Sequence, residues 1–163
     1  MMVREVEPAL DVAGVAEGSF VHRWVPGAGP RTLLLLHGTG GSESDLLPLG
    51  REIDPQAALL GVRGRVLENG MARFFRRLRE GVFDENDIRR QAAALAGFAE
   101  GAARERGFSL DTLYAVGFSN GANMAAALML LHPTLLRGAV LLRPMLPLTP
   151  AEPPALFGRR ALI

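Results

Sequence analysis

Gly117-Phe118-Ser119-Asn120-Gly121 constrains this chain more than any other stretch. It follows the apolar run Leu113 to Val116 and precedes an Ala/Met/Leu-rich run, Ala122 to Leu131. Strand, sharp turn and helix in that order is the local structure a G-x-S-x-G nucleophile elbow needs. Its glycines let the chain reverse and the helix pack close, and the serine hydroxyl stands exposed at the strand's C-terminal end. Such a serine attacks only when a histidine takes its proton and an acid orients that histidine. Beyond Ser119 the 163 residues hold no aspartate, Glu152 as the single acid and His132 as the single histidine. The pentapeptide alone is weak evidence, since roughly one chain in fifteen of this glycine content carries it by chance. Its flanks and a second motif upstream give it weight.

The second motif is His37-Gly38-Thr39-Gly40-Gly41, directly after the apolar run Thr32 to Leu36. Acyl transfer creates a negative oxygen, and two preorganised backbone N–H groups stabilise it, one from the residue after the serine and one from a glycine-rich loop. The candidates are Asn120 and Thr39. A phosphate site is the competing reading of such a loop, but G-x-G-G lacks the dinucleotide spacing and no G-K-[ST] follows. His37 precedes the glycine turn, where a structural hydrogen bond is the usual role. His132 lies about 18 Å from Ser119 along the helix that the serine starts, too far to be its base. His22 reads as a surface or packing residue, and Glu152 as solvated within a proline-rich stretch.

Around these motifs the pattern alternates strand and helix. Phe20, His22 and Trp24 alternate with Val21 and Arg23, predicting a half-exposed strand that ends at Pro26-Gly27. Thr32 to Leu36 reads as a strand buried on both faces, Ala57 to Val62 and Leu113 to Phe118 as further strands, and Gly138 to Leu142 as another buried one. Weak strand potential lies at Leu10 to Val15. Asp45 is placed to cap a helix through about Ile53, with Pro48 in its first turn. Ile88, Ala92, Leu95, Ala99 and Ala102 recur at helical spacing, predicting a helix from about Glu85 to Arg106 that Gly107 ends. Residues 63–83 lack periodicity and read as an irregular functional loop. Pro144, Pro147, Pro150, Pro153 and Pro154 form a stiff connector before a last strand at Arg160 to Ile163. The pattern predicts one α/β domain over residues 1–163: a mostly parallel sheet with helices on both faces.

Composition narrows the function classes. A net charge of +1 gives no long-range reason to bind nucleic acid. All 18 strongly basic residues are arginines. The cluster Arg73, Arg76, Arg77 and Arg79 is closely followed by Glu80, Asp84 and Glu85, so a solvated or internally paired segment is expected. With no cysteine there is no disulfide and no thiolate nucleophile or ligand. No cofactor or metal is expected. No signal core and no apolar run of membrane-spanning length stand out, so a cytoplasmic protein without a membrane span is the expectation. Phe74 and Phe75 either pack in the core or line an apolar substrate pocket, and Met145, just past a strand's carboxyl end, is in a similar position.

Taken together, Leu33 to Gly41, Asp45-Leu46-Leu47-Pro48-Leu49, Arg73-Phe74-Phe75-Arg76-Arg77, Gly81-Val82-Phe83-Asp84, Val116 to Ala122 and Gly138 to Leu142 resemble the phospholipase/carboxylesterase family of the α/β-hydrolase fold. That family includes dienelactone-hydrolase-like enzymes and acyl-protein thioesterases, and the Phe74-Phe75 segment is most similar to its bacterial carboxylesterase branch. The resemblance implies Ser119 as nucleophile, the N–H groups of Thr39 and Asn120 as oxyanion hole, and a small-molecule ester as substrate. It also implies a triad aspartate and histidine beyond a strand like Arg160 to Ile163, positions that these residues do not include. The chain therefore reads as a partial hydrolase, of little activity alone, that pairs with itself or with a complementing C-terminal chain. The alternative is a non-catalytic remnant serving as a binding module.

Overall fold

The computed structural model describes residues 19–163. The weak strand expected at Leu10 to Val15 lies outside the described residues. Strand β1 (His22–Val25) is half-buried throughout. Strands β2 (Thr32–Leu36) and β3 (Ala58–Val62) are buried at every position, as continuous apolar runs covered on both faces must be.

The helix between β2 and β3 is shorter than its sequence predicts. Helix α1 spans Leu47–Ile53, with Pro48 in its first turn, and Leu46 rather than Asp45 stands at its N-cap without a side-chain bond. Asp45 instead accepts from Ser42 Oγ at 2.8 Å. Backbone bonds from Asp45 N–H to Ser42 O and from Leu47 N–H to Ser44 O turn the chain before the helix begins. Local side-chain bonds of Ser and Asp compete with helix entry in this way.

Residues 63–83 are not the irregular loop expected. They fold into two small hairpins: β4 (Val66–Glu68) with β5 (Met71–Arg73), and β6 (Arg77–Arg79) with β7 (Val82–Phe83). The first closes through Asn69 and Gly70, both at positive φ (51° and 78°), the backbone of a type I′ turn. Helix α2 (Glu85–Arg106) then starts where the Asp84 carboxylate accepts the Asp87 N–H and stops at Gly107, which is left-handed. Strand β8 (Leu113–Phe118), helix α3 (Asn120–Leu131), strand β9 (Gly138–Leu142) and strand β10 (Arg160–Leu162) complete the fold.

The main sheet has six strands in the order β1-β3-β2-β8-β9-β10. Only β1 runs antiparallel to its neighbour. Alternate residues divide between two cores. Leu34, Leu36, Leu60, Val62, Leu113 and Ala115 face α2 and α3, where Ile88, Leu95, Met124 and Leu128 are fully buried. Leu33, Leu35, Leu59 and Val116 face the other side, with Leu46, Leu47 and Leu49 of the α1 region. Each such leucine contributes about 1.5–3 kcal/mol by leaving water. The result is an α/β sheet with helices on both faces. Because β2 and β8 are parallel neighbours in the register Leu36↔Gly117, the segments that follow them emerge side by side at the carboxyl edge. Ligands of open α/β sheets bind at that edge.

Candidate active site

Ser119 sits at φ 52°, ψ −112°, between the end of β8 and the start of α3. A serine gains nothing from this conformation, which costs about 1–3 kcal/mol and persists only where the surroundings enforce it. They do so from both sides. The Ser119 N–H donates to Leu142 O at 2.9 Å, extending the β8–β9 ladder, and its carbonyl accepts the Asn123 N–H at 3.0 Å. The glycines flanking it are sterically required. A Cβ on Gly117 would meet the backbone of Gly121 and Ala122, and one on Gly121 would overlap the carbonyl oxygen of Leu36. Ser119 itself remains half-exposed.

Thr39 lies in the loop that follows β2, and Asn120 directly follows Ser119 at the start of α3. Among the described residues neither backbone N–H is bonded to an acceptor. Asn120 lies in the first turn of α3, where a helix has no carbonyl of its own to offer. The loop around Thr39 is held firmly: Gly40 N–H donates to Ala72 O at 2.9 Å and Gly41 N–H to Gly38 O at 3.0 Å. Arg73 Nη1 donates to Thr39 Oγ1 at 2.6 Å, and the Phe74 N–H donates to Asn120 Oδ1 at 2.8 Å.

His37 has the structural role expected from its place before the glycine turn. It is 1% exposed. Its Nδ1–H donates to Gly38 O at 2.6 Å and its Nε2 accepts the Gly64 N–H at 3.0 Å, which fixes the neutral tautomer. Burial holds its pKa below the ordinary 6.5, outweighing the opposing pull of the Gly38 carbonyl. With both ring nitrogens engaged it has no lone pair left for Ser119. His132 caps the far end of α3, about 18 Å along the helix axis. His22 lies on β1, three strands from β8 or about 14 Å across the sheet, and packs on Phe98. Glu152 is exposed in the proline connector.

Known proteins are similar to this chain over most of its length. The Bacillus subtilis (strain 168) protein MhqD, provisionally named a hydrolase, is 53% identical over 137 residues, which span 84% of this chain and 68% of MhqD. The Bacillus cereus carboxylesterase structure superposes with a TM-score of 0.86 at 46% identity, over 89% of this chain and 69% of that one. A Mesorhizobium loti carboxylesterase gives 0.80 at 40% identity, over 87% and 69%. The chain belongs to the carboxylesterase family of the α/β-hydrolase fold. No family model matches it. Among the described residues no helix is long and apolar enough to cross a membrane.

The side chains expected to line this carboxylesterase's pocket divide. Phe74 and Phe75 are 1% and 0% exposed and belong to the core. Phe74 packs on the His37 ring with centroids 4.8 Å apart, and Phe75 meets Phe83 edge-on at 5.2 Å. Neither ring forms an open wall, because both are buried in the same apolar core. Phe83, which Phe75 supports, lines a cleft of about 250 Å³ with Gly81, Val82, Leu146 and Leu148. Met145 is 51% exposed beside the Gly81 turn, its N–H held by Asn123 Oδ1 at 2.7 Å. A larger cleft, about 490 Å³, opens at the opposite end of the sheet between Trp24, Pro30 and Phe108.

Two features of the site escape a reading of the sequence. Arg73 lies in an arginine cluster that reads as solvated or internally paired. Arg76 and Arg77 pair with Asp84 and Glu68, and Arg73 pairs with Glu68 too, but unlike them it is buried, at 3% exposed. Burial pushes its pKa down, and Arg77 adds to that, against the pull of Glu68 at 3.7 Å. The second feature is the use of the Asn120 and Asn123 side chains, the polar ones of an otherwise apolar helix, to accept the Phe74 and Met145 N–H groups. Glu43 is similarly buried. Burial alone would raise its pKa, but a two-pronged bond from Arg63 (2.6 and 3.0 Å), a backbone N–H and nearby positive charge hold it below the ordinary range.

Proposed function

We propose that this chain is the nucleophile-bearing part of a serine carboxylesterase acting on small or medium acyl or aryl esters. The single observation that carries the reading is Ser119 held at positive φ between β8 and α3. Ser119 Oγ attacks the ester carbonyl carbon as its proton passes to a base. The carbonyl oxygen becomes an oxyanion that accepts from the Thr39 and Asn120 N–H groups. The alcohol leaves with that proton, and water then hydrolyses the acyl-enzyme. Met145 and the Phe83 cleft favour compact acyl or aryl groups. Residues 1–163 act as a single partial domain.

None of His22, His37 and His132 can serve as the base, for the geometric reasons above. The acid and base come from a complementing C-terminal segment, in line with relatives of which this chain spans 68–69%. Strand β10 is the natural docking edge. It stands at the edge of the main sheet and pairs with β9 on one side. A second copy of the chain is the competing occupant of that edge. The test is fluorophosphonate labelling of the completed protein, read by intact mass. Labelling that is lost in Ser119→Ala supports the reading, and a folded, complemented protein that stays unlabelled overturns it.

A further inference from the structure

The segment 72–75 touches both candidate oxyanion donors at once. On one side Ala72 O takes the Gly40 N–H and Arg73 Nη1 holds Thr39 Oγ1. On the other side the Phe74 N–H holds Asn120 Oδ1. Arg73 Nε closes the segment on itself by donating to Phe75 O at 3.1 Å. Thr39 and Asn120 follow different strands, and among the described residues no hydrogen bond joins them directly. Their spacing is therefore set partly by a third element that bonds to both.

A buried guanidinium is expensive unless its donors are satisfied. Here one donor arm goes to the oxyanion-loop hydroxyl, one to a backbone carbonyl, and Glu68 supplies the nearby charge. The hairpin delivers it there. Its Asn69-Gly70 turn brings β5 back antiparallel, Gly64 packs against the Arg73 backbone, and the Met71 side chain comes to lie over Gly40.

We propose that Arg73 is a positioning residue of the esterase. Through Thr39 Oγ1 and the 72–75 segment it sets the distance between the Thr39 and Asn120 N–H groups, so that both meet one oxygen. The inference rests on the oxyanion reading given above. It also predicts a division of labour: the arginine fixes the donors and does not itself touch the ester.

The experiment has two arms. In the 163-residue chain, amide hydrogen exchange is followed by NMR in Arg73→Met, Arg73→Lys and Thr39→Val. The expected result is exchange at Gly40 and Phe74 faster by about tenfold or more, with the α2 amides unchanged, and Lys intermediate because it keeps the charge but loses the fork. In the completed enzyme, kcat for a nitrophenyl ester should fall by about 10- to 100-fold in Arg73→Met with KM within about twofold, the mark of an interaction made in the transition state. The exposed Arg89→Met serves as the unchanged control. Exchange that stays parental, or that rises uniformly through α2, overturns the proposal, as does a change confined to KM. Thr39→Val carries the same test without disturbing the buried charge if Arg73→Met fails to fold. Turnover that survives Ser119→Ala would instead sink the esterase reading, with hydrogen exchange still deciding the role of Arg73.

Discussion

Gly121 lies directly against the carbonyl of Leu36, so that the helix carrying the elbow and the strand leading to the oxyanion loop approach backbone to backbone. Neither partner can yield, because Leu36 is fixed in the ladder to Val62 and Gly117. Gly121→Ala is expected to cost at least about 2–3 kcal/mol, the upper part of the range for overpacking a tight site. Gly97→Ala is the contrast. Gly97 sits within α2 with nothing within 4 Å of its would-be Cβ, and alanine there should stabilise by about 0.5–1 kcal/mol. Urea titrations of both variants check the pair, and equal midpoints would contradict the packing described.

The strain at Ser119 has its own consequence. Ser119→Gly should raise stability by about 1 kcal/mol, because glycine takes this backbone without penalty and the gain exceeds its extra unfolded-state entropy. Activity of the completed enzyme should vanish at the same time. A thermal melt together with an ester assay reads both, and a Ser119→Gly protein less stable than the parent would mean the serine conformation is not strained.

His37 predicts a stability change with pH. Its folded pKa is lowered by burial, so between that value and the ordinary 6.5 the unfolded chain binds more protons than the folded one. The stabilisation is complete above about pH 6.5 and is lost as pH falls through and below that value. The molecular cause is concrete: protonation would set an Nε2–H against the Gly64 N–H. The paired carboxylates of Asp54, Asp84 and Glu68, all held below their ordinary range by arginine hydrogen bonds, add their losses at lower pH. Chemical denaturation between about pH 7 and 5 should show a falling stability that flattens in His37→Asn. Parallel profiles for the two proteins would refute the assignment.

Phe75 is expected to behave as a core residue. Phe75→Ala should destabilise by about 3–5 kcal/mol, with substrate preference unchanged in whatever still folds. A switch in acyl preference with little loss of stability would return the side chain to the pocket.

Much of this fold could be read locally. β2, β3, β8 and β9 are unbroken apolar runs, and a run of that kind has few other places to go. Helix α2 declares both ends, through the Asp84 cap and Gly107, and its buried stripe at Ile88, Ala92, Leu95 and Ala99 matches the spacing. The hairpins were hidden because their strands are two or three residues long and carry interleaved arginines, too short for alternation to register. The Asn69-Gly70 pair was their one visible signal. Asp45 misled because a carboxylate before an apolar run can cap a helix or close a turn, and only the partner Ser42 decides which. At the site, Ser119, Thr39 and Asn120 stood out because glycines mark their turns. Phe74, Phe75 and Arg73 could not be sorted, because their burial depends on which elements the sheet order brings beside them.

The most direct test is hydrolysis of a short-chain nitrophenyl ester by the chain alone and by the chain supplied with a complementing C-terminal segment, fused or separate, each with its Ser119→Ala control. Alone, turnover should be lower by on the order of 10⁶, the loss associated with a missing catalytic histidine. With the segment, activity should return and depend on Ser119. Full turnover by the chain alone, abolished by the alanine, would mean that a base stands among these residues after all. A folded, complemented protein that ignores esters would contradict the assignment of Ser119 as nucleophile.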